Sequence, residues 1–260
     1  MRTTSSDEGR AVQEQVRLRS AVNFRDVAGP KGYLTPSGPM RRRVLYRSNT
    51  FRLSPEDLEV VKPLGITAVH DLRGADEIAR RPDTELPGAV WRHHMVPGIA
   101  DRVAAGFTSA AQTRDAMLGH YRGFVTDPAK RAGFAALLAT LSAGSGAQVF
   151  HCSEGKDRTG WAAMLLQRLV GVGEDDVMAD FLLTDELLLP ERDRVIENAQ
   201  VFFGDRPPEV FMPALVADPA YLQAGMEQME ASYGDLDGYL HDGLGLTEAQ
   251  TDRLRTLLTG

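Results

Sequence analysis

The stretch Val149-Phe150-His151-Cys152-Ser153-Glu154-Gly155-Lys156-Asp157-Arg158-Thr159-Gly160 decides the fold. Gln148-Val149-Phe150-His151 reads as a strand that runs directly into Cys152. Five residues separate Cys152 from Arg158, and a helix follows with Trp161, Met164, Leu165 and Leu169 on its packing face. A loop this tight, ending at a helix N-terminus, turns successive backbone N–H groups toward one point. That point is an anion site, reinforced by the helix dipole. Arg158 adds a planar, two-pronged grip on a tetrahedral oxyanion. Gly155 permits backbone conformations that a side chain would hinder.

Cys152 is the only cysteine in the chain, which excludes an internal disulfide and any multi-cysteine metal site. A free thiol, with a pKa of about 8.5, is only ~3% thiolate at pH 7, and helix N-termini or cations lower such a pKa to roughly 3.5–7.5. A nucleophile in the floor of a dianion cradle describes phosphoryl transfer through a phosphocysteine. The N–H groups and Arg158 stabilise the equatorial oxygens. The chemistry calls for no metal and no cofactor. A nucleotide-binding loop fits less well, because Gly155-Lys156 is followed by Asp157 rather than Ser or Thr.

Outward from the loop, short apolar runs alternate with capped helices. Val44-Leu45-Tyr46, Ile66 to His70 and Val90 to His93 are the other strand candidates. Ser54-Pro55-Glu56-Asp57, Asp127-Pro128 and Asp218-Pro219 mark helix starts, and Thr247 to Gln250 is a capping box. Ala110 to Val125 carries Met117, Leu118, Tyr121, Phe124 and Val125 on one face, an insertion placed to cover a pocket. Val177, Phe181 and Leu188 give another apolar face. Asp193 to Phe203 reads as a helix, Pro207-Pro208 as an interruption, and Tyr221 to Tyr233 as a further helix. The order predicts an α/β fold, a sheet flanked by helices with helical, lid-like insertions. Residues 16–260 read as one domain behind a frayed tail, Met1 to Gln15.

His151-Cys152 to Arg158-Thr159 resembles the loop of the cysteine-dependent phosphatases. With Asn23-Phe24-Arg25-Asp26-Val27-Ala28-Gly29 and Asp71-Leu72-Arg73, the chain resembles a bacterial tyrosine-protein phosphatase family. The resemblance spans Asn23 to Thr184, roughly three fifths of the chain. It implies a phosphotyrosine phosphatase fold and a protein tyrosine phosphatase with dual or lipid-directed activity. It also implies that Asp157 is the general acid. A lysine at the place of Lys156 occurs in inositol-lipid phosphatases, where an extra cation suits a multiply phosphorylated ring; the competing reading is a solvated loop lysine.

Cys152, Arg158 and Asp157 are thus the catalytic candidates. Ser153, Glu154, Gly155, Lys156 and Thr159 form the substrate-binding set. Asp71, at a strand end, competes for the acid's role but reads better as a cap. Thr159 is placed to hydrogen-bond Cys152 or to cap its helix, and His151 to orient the loop, its ring alternating away from Cys152. Glu154 reads as a solvent-facing rim residue. Asn23, Arg25 and Asp26 pin the loop from behind, whereas Arg47 and Arg73 read as solvated surface. His93 and His94 point to opposite faces, a poor metal geometry. Two other classes share this loop logic: a phosphate-binding pseudophosphatase and a rhodanese-like sulfurtransferase or arsenate reductase. Intact Cys152, Asp157 and Arg158 count against the first. The Gly-Lys-Asp-Arg-Thr-Gly run and the lack of further cysteines count against the second.

The 260 residues carry 29 Lys+Arg and 36 Asp+Glu, a formal charge of -7. That balance argues against a general nucleic-acid binder and leaves phosphotyrosine proteins or phosphoinositides as partners. No apolar run approaches a membrane span, and the amino terminus is no conventional secretory signal. The expected location is the cytoplasm, or outside the cell by a leaderless route.

Overall fold

The computed structural model describes residues 16–99, 104, 106–194, 196–197 and 206–260. The tail Met1 to Gln15 and much of the expected helix Asp193 to Phe203 lie outside those residues.

Seven strands are defined among them: β1 Arg25–Asp26, β2 Leu34–Thr35, β3 Gly38–Pro39, β4 Leu45–Ser48, β5 Ile66–Asp71, β6 Val90–His93 and β7 Ala147–His151. One sheet has the order β1-β4-β7-β5-β6, and β2 and β3 form a small antiparallel pair. β1 lies antiparallel on β4; the remaining pairs of the large sheet are parallel. β7 is central, and every residue of it is buried, as a parallel strand covered on both faces requires. The four strands expected from apolar runs are present within a residue or two. β1 and the β2–β3 pair were not expected, because two-residue strands carry no alternation to read.

The pleat of β7 sorts its side chains between two cores. Ala147 and Val149 join Leu18, Phe24, Phe51, Val61 and Leu86 on one face. Phe150 and Cys152 join the other, larger core. That core is built by α3 Ala110–Thr126, α4 Pro128–Ala143, α5 Asp157–Leu169, α6 Glu174–Leu188, α8 Pro219–Tyr233 and α9 Glu248–Thr259. Helices α1 Pro55–Val61, α2 Ala75–Arg80 and α7 Pro208–Leu215 complete the set used below. Ser54, Asp127, Asp218 and Thr247 cap their helices with side-chain oxygens, as expected. Pro208 does not interrupt; it opens α7, where its missing N–H and fixed φ cost nothing.

The carboxyl-terminal helices account for another departure. One packing face was expected for α5, yet every residue from Arg158 to Leu169 except Arg168 is buried. α8 covers the outer side: a Cβ on Gly225 would stand 2.6 Å from the Trp161 ring. Among the described residues no helix is long and apolar enough to cross a membrane.

Arg47 and Arg73, expected at the surface, are each only 1% exposed. Arg47 and Arg25 converge on Asp180 of α6, with Arg25 Nε 2.8 Å from Oδ1 and Arg47 Nη1 2.6 Å from Oδ2. Two guanidinium groups of the sheet thus share one carboxylate of a helix, which balances one of their two charges. Asp180→Asn leaves both cations buried without their anion. It should cost about 3–5 kcal/mol, the scale of breaking a buried pair, read as a lowered midpoint in urea unfolding.

Candidate active site

Cys152 follows the last residue of β7 and is 3% exposed. The loop then climbs to α5, which starts at Asp157. The site therefore sits at the carboxyl end of the central parallel strand, where α/β sheets gather their ligands.

Three successive carbonyls of the loop point outward, and each has a named partner. The Ser153 carbonyl accepts from Thr50 N (2.9 Å) and Thr50 Oγ1 (3.0 Å). The Glu154 carbonyl accepts from Asn23 Nδ2 at 2.8 Å, and the Gly155 carbonyl from Arg47 Nη2 at 2.9 Å. Across a planar trans peptide the C=O and the following N–H point opposite ways. Pinning these three carbonyls outward aims the amides of Glu154, Gly155 and Lys156 inward, beside Cys152. Gly155 has φ +68, and a Cβ there would stand 2.5 Å from the Ser48 carbonyl oxygen. No other residue passes this turn.

Arg158 closes the ring. Its Nη1 and Nη2 donate to Glu77 Oε2 and Oε1 at 2.8 and 2.6 Å, and Glu77 Oε1 also accepts from Ser153 Oγ at 2.5 Å. Glu77 caps its own helix by accepting from Gly74 N at 2.9 Å. Burial would raise its carboxyl, but the Arg158 guanidinium and the other donors outweigh this and hold it at about 2. Glu77 is therefore ionised and suits an anchor for Arg158 rather than an acid. Sequence reading passed over it; the only signal was a Gly74-x-x-Glu77 spacing.

Asp157 meets two donors at a single oxygen: Tyr121 Oη and Lys156 Nζ, each 2.8 Å from Oδ1. Burial pushes this carboxyl up, but the charges of Lys156 and His120 and the two hydrogen bonds together take it below the ordinary value. Tyr121 comes from α3, the expected covering insertion. It does more there than pack.

Lys156 is 2% exposed, which overturns the solvated-lysine reading. Its ammonium spans Asp157 and the Val216 carbonyl, 3.1 Å away in the segment between α7 and α8. Ser153 and Glu154 turn their side chains from the cradle, Ser153 to Glu77 and Glu154 to Arg81 at 3.7 Å. Glu154 stays 27% exposed, near the rim. Thr159 does neither of the things expected of it: its buried Oγ1 has no hydrogen-bond partner, and no side chain caps α5. Asp71 is a cap, as expected, accepting from the Arg73 amide at 2.9 Å and from the Arg73 guanidinium. His93 and His94 do diverge, to the Arg73 carbonyl and to His70.

Asp71, Asp83 and His151 bring ligand atoms within 4.8 Å of one another. Arg73 Nη2 lies among them, 2.6 Å from Asp71 Oδ2 and 2.9 Å from Asp83 Oδ1. A permanent cation already fills the place that a metal ion would need.

The Glu77 contact can be tested. Glu77→Gln keeps the shape but loses the charge that orients Arg158. Aryl phosphate turnover should fall about tenfold, less than the roughly 10²–10³ cost of deleting an oxyanion donor. Since Glu77 is depressed from 4.5 to about 2, its stabilising effect is complete above pH 4.5 and is lost as pH falls toward 2. The Gln variant should therefore lose less stability than the parent between those limits in an acid titration of Tm.

Comparison with known proteins bears on this geometry. The family described as "Tyrosine phosphatase family" matches residues 16–260. The triple specificity protein phosphatase PtpB of Mycobacterium tuberculosis is 31% identical over 278 aligned positions, covering 94% of this chain and 98% of that protein. A tyrosine-protein phosphatase of Nostoc commune is 26% identical, covering 80% of this chain and 71% of its own. The crystal structure of a P. aeruginosa TpbA variant in complex with pTyr is 15% identical, covers 71% of this chain and 99% of its own, and has a TM-score of 0.29. The family match over nearly the whole chain, joined to a cysteine cradle at the end of a central parallel strand, places this protein in the tyrosine phosphatase family.

Proposed function

We propose that the protein hydrolyses phosphate monoesters, phosphotyrosine in proteins first, through a phosphocysteine on Cys152. The observation that carries this reading is the pinning of three successive loop carbonyls after Cys152, which turns the amides that follow them to the other side. In the first step the Cys152 Sγ thiolate attacks phosphorus and the P–O bond to the leaving group breaks. The departing oxygen takes the proton of Asp157. In the second step water attacks phosphorus, the P–S bond breaks, Asp157 takes the water's proton and inorganic phosphate leaves. The amides of Glu154, Gly155 and Lys156 and the guanidinium of Arg158 hold the equatorial oxygens in both steps. The scheme uses only groups of the chain, and residues 16–260 act in it as one phosphatase domain.

Asp157 must be protonated for the first step, yet its carboxyl is depressed in the free protein. A bound dianion adds negative charge beside it and offsets Lys156. Activity should therefore favour acid pH and fall as pH rises through the acid's pKa in the complex. The name of the mycobacterial relative supports a range beyond phosphotyrosine. Phosphoinositide turnover loses its main support, because Lys156 is committed to Asp157 and Val216. It ranks second.

Cys152→Ser should abolish turnover of a phosphotyrosine peptide while still binding it, the hydroxyl being a much weaker nucleophile. Residual activity of about a tenth or more would exclude the covalent path. Orthovanadate inhibition without thiosulfate turnover separates this reading from a sulfurtransferase.

The acid has its own test. Asp157→Asn should slow alkyl phosphates much more than aryl phosphates with good leaving groups, since only the former need protonation. Lys156→Met removes the cation that lowers Asp157, so the alkaline limb of kcat/KM should move to higher pH. An unmoved limb in that variant removes Asp157 from the role.

A further inference from the structure

The proposed scheme leaves the first amide of the cradle, Ser153 N–H, without a described support. The carbonyl that precedes it belongs to Cys152 itself. His151 Nδ1 lies 3.3 Å from that carbonyl oxygen. The His151 ring is fully buried, on the opposite side of β7 from Cys152, and is stacked against Phe51 with centroids 6.3 Å apart. Its other nitrogen, Nε2, is 3.1 Å from Asp83 Oδ2, an ion-pair contact rather than an in-line hydrogen bond. A carbonyl oxygen only accepts, so Nδ1 must carry a proton.

We infer that Asp83 is a positioning residue for the oxyanion cradle: it holds the His151 ring in place, so that His151 pins the Cys152 carbonyl outward and Ser153 N–H is aimed at the phosphate. The inference rests on the phosphocysteine reading and adds a fourth pin to those of Thr50, Asn23 and Arg47. Asp83 is itself held by Arg73 Nη2 at 2.9 Å, by the Phe51 amide at 3.1 Å and by Trp91 Nε1 at 3.3 Å. It is therefore a fixed anion, and the ring behind the nucleophile is fixed with it. Asp83 lies beyond the end of α2 in a stretch without apolar period, and nothing in the sequence tied it to the loop.

Cys152 is the only cysteine, so its alkylation by iodoacetamide at a single pH reads the site without background. The measured quantity is the concentration of inorganic phosphate that halves the labelling rate. Asp83→Asn should raise it about tenfold, below the roughly 10²–10³ of losing an oxyanion donor outright. His151→Phe keeps the ring packing, removes both nitrogens and should give the same rise. Asp83→Asn added to His151→Phe should give no further rise, as coupled positions require. Trp91→Phe removes another contact of the same carboxylate and should leave protection as in the parent. A phosphate requirement for Asp83→Asn within twofold of the parent overturns the inference, and so does an additional loss in the double variant or an equal loss in Trp91→Phe. If Asp83→Asn does not fold, the pair His151→Phe and Trp91→Phe decides: the first must lose protection and the second must keep it. Failure of phosphate to protect the parent protein is a different result, and it rejects the phosphocysteine reading instead.

Discussion

The outward pinning of the loop's carbonyls is the constraint on which the site depends. A short loop cannot present a row of converging amides unless its carbonyls are satisfied on the other side, because an unpaired buried carbonyl is costly. Asn23, Arg47 and Thr50 supply the donors. They come from the segment before β1, from β4 and from the turn after it. The cradle is therefore a property of the neighbouring strands as well as of the loop.

That arrangement requires burying cations. Arg47 reaches Gly155 from within the core, and Arg25 lies beside it. Asp180 makes this tolerable by pairing with both. The same logic repeats at the mouth, where Glu77 pairs with Arg158, and behind the strand, where Asp71 and Asp83 pair with Arg73. Each of these guanidinium groups has an anion on a different element. Loop, helices and sheet are thereby locked into one geometry, which preorganised stabilisation of a dianion needs.

The helical additions hold charged side chains of the loop as well as pack the core. α3 supplies Tyr121 to Asp157, and the segment after α7 supplies a carbonyl to Lys156. Asp157 and Lys156 are thus held by elements that the strand–loop–helix core does not contain.

Much of this was legible in the chain. The cysteine, arginine and aspartate of the loop, the central strand and the caps at Ser54, Asp127, Asp218 and Thr247 were readable, because local spacing alone determines turns, caps and the aim of successive amides. Of the three residues expected to pin the loop, Asn23 does so at Glu154; Arg25 bonds Asn23 and Asp180 rather than the loop, and Asp26 accepts from the Ala28 and Arg43 amides instead. What the tertiary structure alone decided was the company each charge keeps. Arg47, Arg73 and Lys156 look like surface cations in sequence; besides the near neighbours Asp71 and Asp157, their burial draws on partners 10 to 133 positions away. Glu77, Asp83, Tyr121 and Asp180 carry no local mark of their roles. Electrostatic pairing acts through space, and the chain brings these residues together only when the sheet and its covering helices have closed.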